Sequence, residues 1–195
     1  MLSVVIATHD SECALLPTLA ALVAGAAAGI VREVIVADAG SRDATAAIAD
    51  GAGCRVLVSA QGRGARLKAA AEAARAPWLL FLRPGVVLDA TWVDETRRFV
   101  EETELRGCAG THAAVFRASA LRPALLEALA LIGTALGAKA DARHGLVIAK
   151  THYVALGSHR DVDEPERDLQ RRLRRRHLVL LRTGAIAAGS GKILD

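Results

Sequence analysis

The residues with the clearest chemical signal are Asp38-Ala39-Gly40-Ser41, which directly follow the apolar run Glu33–Ala37. A carboxylate at the carboxyl end of a buried strand, followed by Gly and Ser, lies where an α/β sheet binds nucleotides. Such a carboxylate can accept hydrogen bonds from a base N–H or a ribose hydroxyl. The alternative is a turn between a strand and a helix, which Ser41 and Asp43 cap and Thr45 braces.

Short strands alternating with helices must position these residues in the first half of the chain. Strands are predicted at Leu2–Ala7, Glu33–Ala37, Arg55–Val58 and Trp78–Leu82, and helices at Leu15–Ala28, Ala44–Gly51 and Arg63–Arg75. Strands that are apolar on both faces are typical of a parallel sheet covered on both sides. The sequence therefore predicts an α/β fold with a mostly parallel, doubly wound sheet, helices on both faces, and ligands at the carboxyl ends of the strands.

The second half of the chain has a less regular pattern. Helices are predicted at Ala90–Glu104 and Leu121–Ala138, strands within Gly107–Arg117, at Gly145–Lys150 and at His177–Arg182, and an arginine-rich helix after the acidic stretch Asp161–Asp168. No long linker divides the chain, so we expect a single domain over residues 1–183. Its nucleotide-binding half covers residues 1–90 and its acceptor half residues 91–183, and a Gly/Ala/Ser-rich mobile tail is predicted at 184–195.

Composition narrows the class of protein. The 195 residues are 52% hydrophobic and 24% charged, which indicates an ordered globular domain. The net charge of +4 permits an anionic ligand such as a nucleoside diphosphate but does not by itself predict nucleic acid. Three widely spaced cysteines without a C-x-x-C pair favour a reducing compartment, and hence the cytoplasm. The N-terminus lacks the basic region of a signal peptide, and Leu121–Ala138 falls short of the ~20 apolar residues of a membrane span.

Four sequence blocks in the first 90 residues resemble those of the family-2 glycosyltransferases. They are SVVIATHDSE from Ser3, EVIVADAGSRDAT from Glu33, QGRGARLKAAAEAA from Gln61 and WLLFLRPG from Trp78. They are similar to the family patterns SVVIPxYNE, EVIVVDDGSxDxT, xGRAAQMNAGAxxA (a form typical of a bacterial subgroup) and xLLFLHADT, in the same order and spacing. The resemblance implies the A-type glycosyltransferase fold and transfer of a sugar, with inversion, from a donor such as a UDP- or GDP-sugar to an acceptor hydroxyl.

The same resemblance implies a donor pocket at the ends of the first two strands. By position, Asp38 is expected to meet the base, together with Gly40 and Ser41 of its motif. Ala7, Thr8 and Asp10 are expected to line the pocket for the base and ribose. Loops after neighbouring parallel strands lie side by side, which makes this arrangement physically reasonable.

The fourth block departs from the family pattern. Where the family places an acidic D-x-D pair that holds Mg²⁺ or Mn²⁺, this chain has Arg83-Pro84-Gly85, and the next carboxylate is Asp89. A hard divalent cation requires oxygen ligands, so no metal-binding residue is predicted. Lys68 also replaces the usual Asn, which leaves Arg66, Lys68 and Arg83 around the expected diphosphate. These cations either neutralise the leaving group in place of a metal or belong to a site that has decayed.

The acidic stretch of the second half resembles the family pattern LGG…EDxxLxxRL, in which an Asp deprotonates the acceptor. Because the spacing is about one residue short, the register is ambiguous: Glu166 is the first candidate for the base, followed by Glu164 and Asp163. A carboxylate at a helix N-terminus suits this role, because the helix dipole stabilises the anion. The alternative is that these acidic residues only complement the dipole.

Other interpretations remain open beside sugar transfer. One is a nucleotide or nucleotide-sugar binding protein without catalytic activity on the same scaffold. Another is a module that binds membrane surfaces or partners through the basic run Arg171–Arg176, which could contact acidic lipids or a lipid-linked acceptor. A solvated helix face is the simpler explanation of that run, and no aromatic residues are interleaved for nucleic-acid binding. Thr8–Ser11 lacks the glycine-rich loop of a nucleotidyltransferase or a Rossmann dehydrogenase.

Overall fold

Helices and strands alternate along the chain in the computed structural model, which describes residues 1–119, 142–173 and 177–187. The strands are β1 (Leu2–Thr8), β2 (Val31–Asp38), β3 (Arg55–Val58), β4 (Trp78–Leu82), β5 (Val86–Leu88), β6 (Ala113–Ser119), β7 (Leu146–Ala149) and β8 (Leu178–Ala187). The helices are α1 (Glu12–Ala27), α2 (Thr45–Gly51), α3 (Arg63–Ala73), α4 (Trp92–Leu105), α5 (Lys150–Ala155) and α6 (Pro165–Arg172). The helix predicted at Leu121–Ala138 lies outside the described residues.

The strands form one mixed sheet in the order β3-β2-β1-β4-β7-β6-β8-β5. The first four are parallel, and their register places Thr8 beside Asp38 and Ile6 beside Leu82. The carboxyl ends of β1, β2 and β4 therefore meet at one edge of the sheet. Asp38, at the end of β2, and Arg83, directly after β4, lie at this same edge.

The second half adds antiparallel neighbours to this parallel unit. β7 runs antiparallel to β4 and to β6, β8 runs parallel to β6, and β5 is antiparallel to β8. The short strand β5 was not predicted from the sequence. It pairs through Val86 and Leu88 with Ala187 and Ala185, so β8 continues to Ala187. The prediction of a mobile tail from residue 184 is therefore corrected, because residues 184–187 belong to β8.

Apolar side chains pack on both faces of the sheet, because successive strand residues point to opposite sides. On one face, Val4 and Ile6 belong to a cluster with Leu15 of α1 and Trp92 of α4. On the other, the cluster with Val5 includes residues of α3, α5 and α6. The prediction of helices on both faces is confirmed. Because α3 and α6 share one face, residues at their N-termini can meet above the edge where β4 ends.

Candidate functional site

Asp38, the last residue of β2, carries a buried carboxylate, with 1% of the residue's surface exposed. Its Oδ1 accepts hydrogen bonds from the hydroxyls of Thr8 (2.7 Å) and Ser41 (2.5 Å), and its Oδ2 from the backbone N–H groups of Gly40 (2.9 Å) and Ser41 (2.7 Å). Burial alone would raise the pKa of Asp38, but these hydrogen bonds lower it below its ordinary value. Four donors account for the usual acceptor capacity of a carboxylate, so Asp38 fixes the loop after β2.

The loops after β1 and β2 are joined by reciprocal hydrogen bonds. The N–H of Asp10 donates to the Ser41 hydroxyl at 2.9 Å, and the N–H of Arg42 donates to the Asp10 carboxylate at 2.8 Å. Deeper in, the Ser11 N–H donates to the Thr45 hydroxyl at 2.8 Å. Asp10 adopts a positive φ of 42°, a conformation that non-glycine residues rarely take up. The two loops thus form one wall, with Asp10 at its exposed rim.

Arg66 lies beneath this wall, buried against the ends of two strands. Its Nη1 donates to the carbonyl oxygens of Thr8 and Ala37, both at 2.7 Å, and its Nε donates to the carbonyl of Gln61 at 3.1 Å. These carbonyls belong to strand ends and a loop, and the Thr8 carbonyl also accepts the backbone N–H of Ala39 at 3.0 Å. Arg66 therefore contributes positive charge from a fixed position and holds β1 and β2 together.

Glu166 lies between two arginines from separate elements. Arg83, directly after β4, donates two hydrogen bonds to it: Nε to Oε1 at 3.1 Å and Nη2 to Oε2 at 2.9 Å. The Nη2 of Arg63, the first residue of α3, lies 2.6 Å from Oε1. The side chain of Glu166 is 6% exposed, whereas each arginine is 31% exposed. Burial would raise the pKa of Glu166, but the two arginines outweigh it and lower the pKa.

Two glycines explain how α6 comes close enough to place Glu166 there. A Cβ atom on Gly64 would collide with the backbone carbonyl of Arg160, and one on Gly62 would collide with the carboxylate of Asp161. The segment before α6 therefore lies directly against the first turn of α3, where only glycine leaves enough room. From the other side, Arg172 donates to the carbonyls of Leu156 and Ser158 and fixes the same segment to α6.

The structure separates Glu166 from the other acidic candidates. Glu164 is exposed and pairs with Arg167 at 2.5 Å, and Asp163 is also exposed. Asp89 accepts hydrogen bonds from the Thr183 hydroxyl and the Gly184 N–H, both at 2.5 Å, and so joins β5 to β8. Of the three candidates for the base, Glu166 is the one brought together with Arg83.

A cavity of about 310 Å³ opens where these parts meet. Its lining comes from the ends of β1 and β4 and from the first turns of α1 and α3: Ala7, Thr8, His9, Ser11, Ala14, Arg63, Arg66, Arg83 and Pro84. Lys68 does not line it; its side chain is 50% exposed and lies 4.0 Å from Glu72. The structure thus brings together two of the three predicted cations and adds Arg63.

Asp38, Asp89 and Glu166 do not offer free oxygen ligands to a divalent cation. Asp38 is occupied by four donors, Asp89 by the β5–β8 junction, and Glu166 by two guanidinium groups. No group of three or more His, Cys, Asp or Glu residues in the described ranges could hold a metal ion. A hard cation needs free oxygen ligands and is repelled by arginine. The cavity, which three arginines line, therefore suits an anion.

Arg63 is the principal site residue that the sequence analysis missed. Its signal was the Gly-Arg-Gly sequence at the start of α3, in which two glycines flank a cation.

A second feature, the pair Tyr153 and His159, packs against Phe81 of β4 below the site. The Tyr153 hydroxyl lies 3.0 Å from Nδ1 of His159, and burial lowers the pKa of that imidazole to about 4. His159 is therefore a neutral support at neutral pH.

The basic run was expected to be a helix face or a membrane contact. Arg171 is exposed, Arg172 pairs with Asp168 at 2.7 Å, and residues 174–176 lie outside the described ranges. Among the described residues, no helix has the length and apolar character needed to cross a membrane.

Comparison with known proteins identifies the family. The family model described as "Glycosyl transferase family 2" matches residues 3–123. The chain belongs to glycosyl transferase family 2. No curated protein was found to match the sequence.

Two solved structures from S. aureus and M. tuberculosis have a similar fold. The structure of S. aureus TarS 1–349 in complex with UDP-GlcNAc is 14% identical, with a TM-score of 0.68, over 95% of this chain and 58% of that one. The M. tuberculosis glucosyl-3-phosphoglycerate synthase is 19% identical, with a TM-score of 0.67, over 100% of this chain and 74% of that one. The chain thus spans little more than half of the TarS fragment.

Proposed function

We propose that this chain transfers a sugar from a nucleoside-diphosphate donor to an acceptor hydroxyl, with inversion at the anomeric carbon. The observation that carries this proposal is the cavity at the strand ends, which is lined by the loop after β1 and by three arginines, two of which hold the Glu166 carboxylate. The type of reaction is inferred from the family, and the role of each residue is inferred from the position of its side chain at the cavity.

In this proposal the nucleoside lies along the wall made by the loops after β1 and β2. Ala7, Thr8 and Asp10 contact the base and ribose from one loop, and Gly40 and Ser41 from the other. The base contact predicted for Asp38 requires one of its four hydrogen bonds to be exchanged, and we propose that this is the bond from the partly buried Ser41 hydroxyl. The diphosphate then extends toward the arginines at the end of β4.

The proposed reaction is a direct displacement. The acceptor oxygen forms a bond to the anomeric carbon while the bond from that carbon to the diphosphate oxygen breaks. The bonding electrons leave with the nucleoside diphosphate, and the acceptor proton passes to the Glu166 carboxylate. Arginines beside the diphosphate stabilise the negative charge that develops on the leaving group.

Uridine nucleotides are the first ligands to test. TarS has been crystallised in complex with UDP-GlcNAc, and the M. tuberculosis glucosyl-3-phosphoglycerate synthase in complex with UDP and Mn²⁺. UDP, GDP, TDP and CDP should be compared by thermal shift, each with EDTA and with Mn²⁺. A ligand that binds the native state raises apparent stability by RT ln(1 + [L]/Kd), so a selective nucleotide gives the largest shift. UDP-GlcNAc and UDP-glucose should then be assayed for release of UDP in the presence of candidate acceptors.

A variant that fills the cavity tests whether binding occurs at this site. Ala14 lines the cavity from the first turn of α1, so Ala14→Phe should abolish the nucleotide-dependent shift. Ala24→Phe is the matched control, because Ala24 is exposed on the same helix and outside the cavity. Equal shifts in both variants would place the nucleotide elsewhere and contradict the proposed donor site.

A nucleotide-sugar binding protein without catalytic activity is the second candidate function. It is favoured by one observation: Glu166 is held by two arginines, whereas a base needs a free lone pair. Nucleotide binding without detectable product from any tested donor and acceptor would support this alternative. Product formation that disappears in Glu166→Gln would support catalysis.

A further inference from the structure

We propose that Glu166 is an internal counter-anion, which a diphosphate displaces from Arg63 and Arg83 without the help of a metal ion. The inference rests on the proposed function and adds to it how the diphosphate is recognised. It also assigns to Arg63 a binding role that was not predicted from the sequence.

The contacts of Arg83 are those with which an arginine also binds phosphate. Its Nε and Nη2 reach two oxygens of one carboxylate, at 3.1 and 2.9 Å. A phosphate group offers the same spacing of two oxygens to the same planar fork. Glu166 therefore occupies the position on Arg83 that a diphosphate would take.

Both arginines can be reached from the cavity, whereas the carboxylate is buried behind them. Arg63 and Arg83 line the cavity, and each exposes 31% of its side chain, against 6% for Glu166. An anion entering the cavity thus meets the guanidinium groups first.

The charges in the cavity wall favour an anion that carries more charge than one carboxylate. Three guanidinium groups line the cavity, and Arg63 and Arg83 share a single carboxylate. Burial lowers the pKa of Arg63, and the neighbouring Arg83 and Arg66 lower it further, against the attraction of Glu166. The buried Nε of Arg63 has no hydrogen-bond partner within the described part of the chain. A diphosphate with at least two negative charges satisfies this excess better than Glu166 does.

Displacement would connect donor binding with activation of the base. While the arginines hold Glu166, they lower its pKa and occupy its lone pairs, so it is a poor proton acceptor. Once the diphosphate takes over the guanidinium groups, the carboxylate loses these partners and becomes more basic. The same exchange neutralises the leaving group, which is the task that a cation performs in other transferases.

Calorimetric titration with inorganic pyrophosphate in EDTA tests this exchange directly. Compared with the wild type, Glu166→Gln should bind pyrophosphate at least about tenfold more tightly, equivalent to ~1.4 kcal/mol, because the competing anion has been removed. Glu102→Gln is the matched control: it makes the same change in charge on an exposed residue of α4, on the opposite face of the sheet, and should leave affinity unchanged. Arg63→Gln and Arg83→Gln should each weaken binding about tenfold or more, and Mn²⁺ should not restore it.

Unchanged or weaker pyrophosphate binding in Glu166→Gln would overturn the proposal, since Glu166 would then organise the arginines instead of competing for them. Binding equal to wild type in the two arginine variants would overturn it as well. Circular dichroism should confirm that each variant folds; if Glu166→Gln does not, Glu166→Asp shortens the carboxylate and should give a smaller tightening. Pyrophosphate carries neither base nor sugar, so failure of sugar transfer leaves this result intact. Conversely, sugar transfer by the wild type without tightening in Glu166→Gln would remove only the displacement proposal.

Discussion

Two buried carboxylates at the same edge of the sheet are stabilised in different ways. Asp38 accepts four hydrogen bonds from neutral groups of its own and the adjacent loop. Glu166 is held by the guanidinium groups of Arg63 and Arg83, which come from two other parts of the fold. Arg83 lies 83 positions before Glu166 in the sequence. Both carboxylates have lowered pKa values despite their burial.

The difference separates a fixed part of the site from an exchangeable part. The Thr8 hydroxyl and the N–H groups of Gly40 and Ser41 have no better acceptor to move to, so the Asp38 network determines the shape of the nucleoside wall. Arginines that are partly open to a cavity can exchange one anion for another. The following variants test this distinction, beginning with the one expected to have the largest effect.

Asp38→Ala should destabilise the folded chain most. It leaves the buried hydroxyl of Thr8 and the partly buried N–H groups of Gly40 and Ser41 without their acceptor, and an unsatisfied buried donor costs ~1–3 kcal/mol. We expect the free energy of unfolding, measured with urea, to fall by about 3 kcal/mol. Asp50→Ala, which removes an exposed carboxylate from α2, is the control and should be close to neutral. A loss of less than about 1 kcal/mol for Asp38→Ala would show that the loop holds without its carboxylate.

Glu166→Gln should have a smaller effect on stability that depends on pH. At pH 7 we expect a loss of about 2 kcal/mol, the range for hydrogen bonds to charged groups, because the arginines retain partial access to water. The folded pKa of Glu166 lies below its ordinary value of 4.5. Its contribution is therefore complete above about pH 4.5 and is lost as the pH falls through the lower, folded value. Urea unfolding at pH 7 and at about pH 3.5 should show the difference from wild type shrinking in acid. A difference that does not change with pH would mean that charge is not what Glu166 contributes.

The same contrast explains which parts of the site the sequence could predict. The Asp38 loop is local: a carboxylate, a glycine and a serine follow one apolar strand, so its position at the sheet edge could be derived from the pattern alone. The partners of Glu166 come from α3 and β4, and their convergence depends on how α6 docks. Spacing within the acidic stretch could not select Glu166 over Glu164, because helix α6 begins at Pro165 and only its packing shows which residue points inward.

The fold follows the same rule. The parallel strands β1 to β4 were predicted because each is a continuous apolar run between clear helix signals. The strand β5 has only three residues, and its partner lies in a Gly/Ala-rich segment near the end of the chain. Such short pairings are determined by tertiary contacts and leave almost no periodic signal. Lys68 and Arg66 were placed at the diphosphate by position. The helix directs Lys68 to solvent, whereas Arg66 lines the cavity while it donates to backbone carbonyls.

Gly64→Ala should have a moderate effect on stability and a clear one on the site. In a helix, replacing glycine by alanine ordinarily gains up to about 1 kcal/mol. Here the new methyl group would collide with the backbone of Arg160, so we expect a net loss of about 1–2 kcal/mol and displacement of the segment before α6. Gly51→Ala, at the end of α2 with no atom within 4 Å, is the control and should be neutral or stabilising. Because Glu166 would shift away from Arg63, tighter pyrophosphate binding in Gly64→Ala is also expected.

Lys68→Met should have the smallest effect, and its value lies in the contrast with Arg63. Both cations lie on α3, but Arg63 lines the cavity, whereas Lys68 is half exposed and 4.0 Å from Glu72. An exposed ion pair one helical turn apart contributes only ~0.3–0.5 kcal/mol, and methionine keeps the apolar stem of lysine. Urea unfolding of Lys68→Met should therefore stay within about 0.5 kcal/mol of wild type. Pyrophosphate affinity in EDTA should also be unchanged, whereas Arg63→Gln loses about tenfold, because only Arg63 can form charge-assisted hydrogen bonds inside the cavity. Equal losses of affinity in the two variants would show that the anion responds to the general charge of α3. The arginine pair would then not be a defined binding site, and the distinction between a fixed and an exchangeable carboxylate would lose its chemical basis.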